Sequence, residues 1–357
     1  MSAIELWTMM PCLPGTYAEH ARRAEDEGWD GIGVPDSQSN LGDPYATLAV
    51  AANVTTRLKL ATNVTNPYTR HPAIAAAAIA SVHGESGGRA MLGIGRGDSA
   101  LAHIGFAPVR VSTFVEFVRA AQGYLRGDDV PFRPDGSGTV KAVAELGIGS
   151  PPTASRLRWI DSLGLSKVPI DVAANGPRVI TALAPLVEAM TFASGAEPTR
   201  IQWAIDTARS ARADAGVDPD GMSFGLRVPL AVAETRREAI DVLRPRVASY
   251  ARFSVLHGTV AGPIDDSLRT TLEHVRASYD MVDHHGAHVD ATTDELVDAY
   301  AIGGPPAYCA ERILELHELG IERFVVGHLG IGAASSNSEA SRRRFVEEVA
   351  PAVRLAI

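Results

Sequence analysis

The residues most able to do chemistry sit in Gly87–His103, GGRAMLGIGRGDSALAH. Arg89–Ile94 is apolar enough for a parallel strand covered on both faces. Gly93, Gly95 and Gly97 then alternate, which lets backbone turn sharply and come close to a ligand. Asp98 follows where a helix would start, either as a functional acid or as an ordinary N-cap. The stretch is not a P-loop, because no Lys-Ser/Thr follows, and its glycine spacing is not that of a dinucleotide-binding turn. A second candidate is Ala174-Asn175-Gly176-Pro177-Arg178. An Asn-Gly-Pro turn before a helix exposes backbone N–H groups, and Arg178 adds positive charge, so the segment reads either as a phosphate cradle or as a plain turn.

These residues need a scaffold, and the chain supplies an alternating one. Strands are expected at Ile4–Met10, Gly31–Pro35, Leu58–Val64, Arg89–Ile94, Val168–Ala173, Ala189–Ala193, Met222–Ala233 and Arg323–Val326. Helices are expected between them, among them Tyr17–Glu27, Pro44–Val54 with Asp43 as its cap, Ala73–Val82, Val111–Leu125, Pro198–Ala215 and Arg236–Val255, with Glu339–Leu355 closing the chain. Eight strand–helix units favour a closed α/β TIM (β/α)8 barrel over an open sheet. One domain, 1–357, accounts for the length, with insertions near 128–166 and 257–300.

In such a barrel the segments after each strand share one face. That face would gather Pro35-Asp36-Ser37-Gln38, Asn63-Val64-Thr65-Asn66-Pro67, Gly95-Arg96-Gly97-Asp98-Ser99, Ala174–Arg178 and Gly327-His328. Trp7 should point into the barrel or its mouth.

LATNVTNPYTRHPAIAAAAIASVHGESGGRAMLGIGRGDSA resembles the luciferase-like monooxygenase superfamily, and is most similar to the branch of methylenetetrahydromethanopterin reductases and other deazaflavin-dependent oxidoreductases. VAANGPRVITALAPLVEAMTFASGAEP resembles the same family's phosphate-binding segment. The resemblance implies a TIM barrel whose mouth holds coenzyme F420 or, alternatively, FMN. It implies a non-prolyl cis peptide in a bulge of the third strand, at Asn63–Val64. It places Asp36 and Asp98 as candidate catalytic groups, with Asp98 where some relatives carry a glutamate. Asp36, Asn63, Val64, Asn66, Gly95, Gly97, Asp98, Ala174, Asn175, Gly176, Pro177 and Arg178 are the implied cofactor contacts. Ser37 stands where sugar-phosphate dehydrogenase relatives have a histidine, which argues against that activity. The expected reaction is hydride transfer between the deazaflavin and a small organic substrate. The alternative is an FMN monooxygenase supplied with reduced flavin by a separate reductase. Homodimers are common in the family, and the small apolar faces of Pro44–Val54 and Ala73–Val82 would suit one.

Composition narrows the field further. A net charge of −9 argues against a basic nucleic-acid surface. Cys12 and Cys309 have no metal or redox spacing. No apolar run reaches membrane-spanning length, and no basic segment precedes an apolar run at the N-terminus, so a cytoplasmic protein is expected. Asp283-His284-His285-Gly286-Ala287-His288 has histidines that could bind metal, but it lacks partner cysteines, and the first strand ends in Met9-Met10-Pro11 rather than His-x-His. No metal site is expected. His71 could contact a cofactor tail but is read first as a capping or packing histidine, and Arg342–Arg344 as a solvated helix face.

Overall fold

A computed structural model describes residues 3–132, 140–255, 260, 262–280, 292–327 and 336–357, without the side chains of residues 336 and 337. Eight parallel strands close into a barrel: β1 (Glu5–Met9), β2 (Gly31–Val34), β3 (Lys59–Thr62), β4 (Ala90–Ile94), β7 (Ile170–Ala173), β8 (Ala189–Phe192), β9 (Ser223–Val232) and β11 (Ile321–Gly327). Closure comes from β11, which pairs with β9 on one side and β1 on the other. All eight expected strands are barrel strands. The expected β3 ran to Val64, whereas the ladder stops at Thr62 because the chain bulges there. A short strand, β10 (Ile302–Gly304), was not anticipated; it pairs with the far end of β9, which overshoots the barrel.

Helices α1 (Tyr17–Asp26), α2 (Pro44–Val54), α3 (Pro72–Glu85), α4 (Asp98–Ala102), α5 (Val111–Arg126), α6 (Pro177–Leu183), α7 (Pro198–Asp214), α8 (Arg236–Ala251) and α11 (Pro306–Glu318) accompany the barrel strands. Their starts follow from local chemistry. Asp43 accepts from the N–H groups of Tyr45 and Ala46, and Pro44 needs no partner at the first helical position. His71 caps α3 by accepting from the Ala73 N–H through Nδ1, as expected. The closing helix is α12 (Ser336–Arg344) and α13 (Ala350–Leu355) joined by a π turn at Phe345–Val349. In α12, Arg342 departs from the expected solvated face: it is buried and pairs with Glu27 and Glu339.

Among the described residues, two stretches depart from the strand–helix alternation. The first carries a two-stranded antiparallel pair, β5 (Val130–Pro131) and β6 (Ala154–Ser155). The second carries α9 (Asp266–Ser278) and α10 (Asp294–Tyr300), which pack on α8 over their own apolar cluster around Leu243, Val247 and Leu272. The main core lies between barrel and helices. Period-two alternation turns the other strand face to the lumen. There Trp7, Ala61, Met91, Ala189 and Val325 form a small separate cluster.

Candidate functional site

At the C-terminal end of the barrel, the chain leaves β3 through a cis peptide bond between Asn63 and Val64, the bond the family resemblance implied. Neighbouring strands hold this bulge with backbone hydrogen bonds. Asn63 N donates to Val34 O at 2.7 Å, Thr65 N to Gly93 O at 3.0 Å, and Gly95 N to Thr65 O at 2.9 Å. Thr62 Oγ1 adds a bond to Gly93 O at 2.7 Å. The glycines make this possible by what they lack. A Cβ at Gly93 would lie 1.9 Å from Thr62 O, one at Gly95 2.9 Å from Val64 Cγ2, and one at Gly33 2.8 Å from Asn63 Cβ. The sequence assigned Gly93 and Gly95 to close approach of a ligand; structurally their first task is to admit the neighbouring bulge. Gly97, at φ +90°, is the N-cap of α4, so Asp98 is the first helical residue rather than the cap.

Asp36 follows β2 and is buried. Its Oδ2 accepts from Thr65 Oγ1 at 2.7 Å and pairs with Arg70 Nη1. Arg70 also donates to Asp43 at 2.6 Å and lies over the Tyr45 ring, 4.9 Å from its centroid. Burial on its own would raise the Asp43 carboxyl, but the Ala46 N–H and Arg70 outweigh it and hold the group below the usual carboxylate range. Burial likewise opposes the Arg70 charge, yet Asp36 and Asp43 raise its pKa. Asp36 thus ties the segment after the bulge to α2, through Thr65 on one side and Arg70 on the other. Cys12 lies near this network, with its thiol directed at Pro35 O at 3.2 Å; burial pushes it up to about 11, so it is protonated at neutral pH.

Asp98 is half-buried at the start of α4. Next to it, Ser99 Oγ accepts from Arg252, which follows α8 and is 5% exposed. Gln38 reaches from the loop after β2 to Ala100 O at 2.8 Å, and Asn40 contacts His103 at 3.0 Å, so the β2 and β4 loops are stitched together.

The Ala174–Arg178 segment follows β7. Ala174 is buried, Asn175 Oδ1 accepts from the Ala193 N–H at 2.7 Å, and Pro177 opens α6 with Gly176 as its cap. Nothing lies within 4 Å of a Cβ built at Gly176, and the Arg178 side chain is exposed. The Asn175 carbonyl therefore locks the β7 loop to the β8 loop, while the backbone at Gly176 stays open.

Two buried polar atoms at the strand ends have no hydrogen-bond partner: Asn66 Nδ2 after β3 and Ser194 Oγ after β8. Their residues are 1% and 2% exposed. Unsatisfied buried groups of this kind are costly, and a ligand seated in the mouth would relieve them. Asn66 is oriented by its other end, since its Oδ1 accepts from the N–H groups of Tyr68 and Thr69, both at 3.0 Å.

Sequence reasoning missed a polar layer inside the barrel. Asp171 on β7 accepts from Thr191 Oγ1 on β8 at 2.7 Å and pairs with Arg323 on β11 at 3.0 Å. The Arg323 guanidinium fits because Gly225 has no side chain, and it lies 5.6 Å from the Trp7 ring. The available signal was a lone acid in VPIDVAA and a lone base in IERFVV, each at a lumen-facing position of an otherwise apolar strand. Trp7 itself lies in the lumen, as expected, over Gly31.

The His284, His285 and His288 cluster lies outside the described residues, as does His328. Among the described residues, no group of three or more His, Cys, Asp or Glu side chains is placed to hold a metal. Among them too, no helix is long and apolar enough to cross a membrane.

A family profile described as Luciferase-like monooxygenase matches residues 14–323. The chain belongs to that family. Within it, the chain is 30% identical over 321 residues to 5,10-methylenetetrahydromethanopterin reductase of Methanolobus tindarius, covering 87% of this chain and 89% of the relative. The luciferase-like fold is also evident in solved structures. Coenzyme F420 dependent tetrahydromethanopterin reductase from Methanopyrus kandleri superposes with a TM-score of 0.72 at 21% identity, covering 98% of this chain and 99% of the other. An F420-dependent secondary alcohol dehydrogenase, in complex with an F420-acetone adduct, also scores 0.72, at 19% identity and 99% of each chain. This luciferase-like chain is therefore an α/β barrel with its bulge, loop network and unpartnered polar atoms at one end.

Proposed function

We propose that this protein binds coenzyme F420 in the barrel mouth and transfers hydride between it and a small organic substrate. The observation that carries the proposal is the Asn63–Val64 bulge, set in a chain whose 30%-identical relative is a methylenetetrahydromethanopterin reductase. A bound deazaflavin supplies a carbon centre that gives or takes hydride in two-electron steps; the protein's share is orientation, charge placement and exclusion of water.

The bulge would back the cofactor ring, with Val64 resting against the bare face of Gly95 and Asn66 offering its unpartnered amide. Ala174–Arg178 would hold the cofactor phosphate through the open backbone at Gly176, with Arg178 supplying charge from the rim and Ser194 Oγ a further hydroxyl. Gly97 sets the turn that brings Asp98 to the mouth. Asp98 is assigned as the acid that exchanges a proton with the substrate atom beside the reacting carbon. Asp36 acts by positioning: its carboxylate fixes Thr65, which in turn is bonded across to Gly93 and Gly95. The protein is also proposed to work as a homodimer, with the exposed side chains of Val50 on α2 and Ile74 on α3 as part of the contact.

Titration of the purified apoprotein with coenzyme F420 and with FMN, followed by fluorescence, tests the proposal. Tight F420 binding with weak FMN binding is expected. Preference for FMN, with oxygen uptake when a separate reductase supplies reduced flavin, would replace this reading with a monooxygenase. Sedimentation velocity reads the oligomeric state, and a monomer at micromolar concentration would refute the dimer.

A further inference from the structure

Two guanidinium groups, those of Arg227 on β9 and Arg252 after α8, belong neither to the Asp36 network nor to the proposed hydride transfer. Arg227 is on β9. Its neighbours Leu226 and Val228 belong to the core outside the barrel, and its ladder partner Val325 belongs to the lumen cluster, so Arg227 faces the lumen. It lies one lumen position beyond Gly225, where the Arg323 guanidinium sits, and therefore one layer nearer the mouth. Among the described residues Arg227 makes no ion pair; its guanidinium rests 5.3 Å from the Tyr250 ring, and its Nε is buried without a partner. Tyr250 leans over the end of β11, its hydroxyl filling the space a Cβ at Gly327 would need.

Arg252 follows α8 and is buried. It donates to Ser249 O at 2.8 Å, to the Tyr279 hydroxyl at 2.5 Å and to Ser99 Oγ. It lies against the Phe253 and Tyr279 rings, and its Nε too is buried and unpartnered. Burial lowers its pKa first; Arg227 lowers it further, and Tyr279 and Asp98 oppose the shift. Arg227 thus disfavours the Arg252 charge, while among the described residues Asp98 is the acid that favours it, in a chain whose net charge is −9. Three buried arginines elsewhere are compensated: Arg323 by Asp171, Arg342 by Glu27 and Glu339, and Arg212 by four carbonyl oxygens.

Arg227 is half-buried and Arg252 buried, and a guanidinium so withdrawn from water with no ion pair among the described residues favours the arrival of something negative. We infer that Arg227, lumen-facing and resting against the Tyr250 ring, is the specificity-determining contact for an oxyanion on the substrate, a carboxylate or a phosphate. The assignment to substrate rests on the proposal that coenzyme F420 occupies the same mouth, with its own phosphate at Ala174–Arg178. A guanidinium suits this task because it meets an oxyanion with two parallel N–H donors, which an ammonium cannot do.

The test uses the full-length protein in low-chloride buffer. Inorganic phosphate and succinate are each titrated by calorimetry into wild type, Arg227→Gln and Arg227→Lys, and the affinity of each protein for coenzyme F420 is measured separately by fluorescence. Binding of one of the two anions is expected in wild type, and whichever binds names the oxyanion class. Arg227→Gln should weaken it at least about tenfold and Arg227→Lys less, with F420 affinity within about twofold of wild type. The thermal midpoint of Arg227→Gln should equal or exceed that of wild type, because an unpartnered charge has been removed. Neither anion binding wild type, or equal binding by Arg227→Gln, overturns the inference. So does a large fall in the midpoint, which would make Arg227 structural. Competition between the anion and F420 would assign the cluster to the cofactor's phosphate instead, and likewise overturn it. If F420 does not bind at all while the Arg227-dependent anion site persists, the cofactor reading fails and the anion site stands.

Discussion

The two sides of the barrel mouth handle charge in opposite ways. On the β2–β4 side, Asp36, Arg70 and Asp43 form a closed set in which each carboxylate meets the guanidinium. On the β9–α8 side, Arg227 and Arg252 each keep a buried, unpartnered Nε, and among the described residues Arg227 makes no ion pair. The first arrangement is complete without a ligand and fixes geometry. The second leaves guanidinium N–H groups unpartnered among the described residues, and it is where the proposed oxyanion would sit. Local compensation of charge thus separates the part of the mouth that holds the bulge in place from the part proposed to recognise what enters.

The largest effect should come from breaking the compensated side. Arg70→Met leaves the buried Asp36 carboxylate without its cation and should cost about 3–5 kcal/mol in denaturant unfolding, since removing one partner strands the other. The double variant Asp36→Asn/Arg70→Met should recover much of that loss; equal instability of single and double variants would mean the pair is not the cause. On the other side, Asp98→Asn should leave the unfolding midpoint nearly unchanged. It should lower the turnover rate about a hundredfold, the usual scale of a lost general acid, while F420 affinity stays within about twofold. A fall in affinity matching the fall in rate would make Asp98 a binding group instead.

Between the two sides, Gly95→Ala puts a methyl group 2.9 Å from Val64 Cγ2. Displacing the bulge should cost about 1–3 kcal/mol, the usual range for overpacking. F420 affinity should fall with it; stability lost without affinity would separate the bulge from the cofactor.

The smallest effect lies at the opposite end of the barrel. Glu188 accepts from the Ile170 N–H at 3.0 Å and pairs with Lys167 at 2.9 Å, and these contacts outweigh burial to hold its carboxyl below its ordinary 4.5. A depressed folded pKa means that the native state binds fewer protons than the unfolded chain in acid. The contribution is therefore present above about pH 4.5 and lost as pH falls through the folded value. The side chain is partly exposed, so Glu188→Gln should change the acid limb of the stability profile by only about 0.5–1 kcal/mol and leave F420 binding untouched.

The barrel was legible because strand patterns, caps and stop signals agreed with one another. Asp43 before Pro44 and His71 before Pro72 both start helices where the sequence places them. The bulge was legible only through resemblance, since Asn63–Val64 carries no local signal of its own conformation. The pairings were not legible. Asp36 with Arg70 spans 34 residues and Asp171 with Arg323 far more, and a single sequence does not say which distant charges close on each other. Arg342 shows the same limit, because a run of three arginines reads as solvated until the fold brings Glu27 to one of them. Arg227 sat unremarked in an apolar strand, although a charge facing a barrel lumen is itself a signal.

The bulge after β3 has a practical consequence for recombining such barrels. The room it occupies is left by Gly33 on β2 and by Gly93 and Gly95 on and just after β4, not by its own strand. A crossover that moves β3 and α3 alone from this chain into a relative with larger side chains at those places would set a methyl or more against Thr62 O or Asn63 Cβ. The exchangeable block in this quarter of the barrel is therefore three consecutive strands rather than one strand–helix unit, and shuffled libraries built with breakpoints between β2 and β4 should be depleted of folded members.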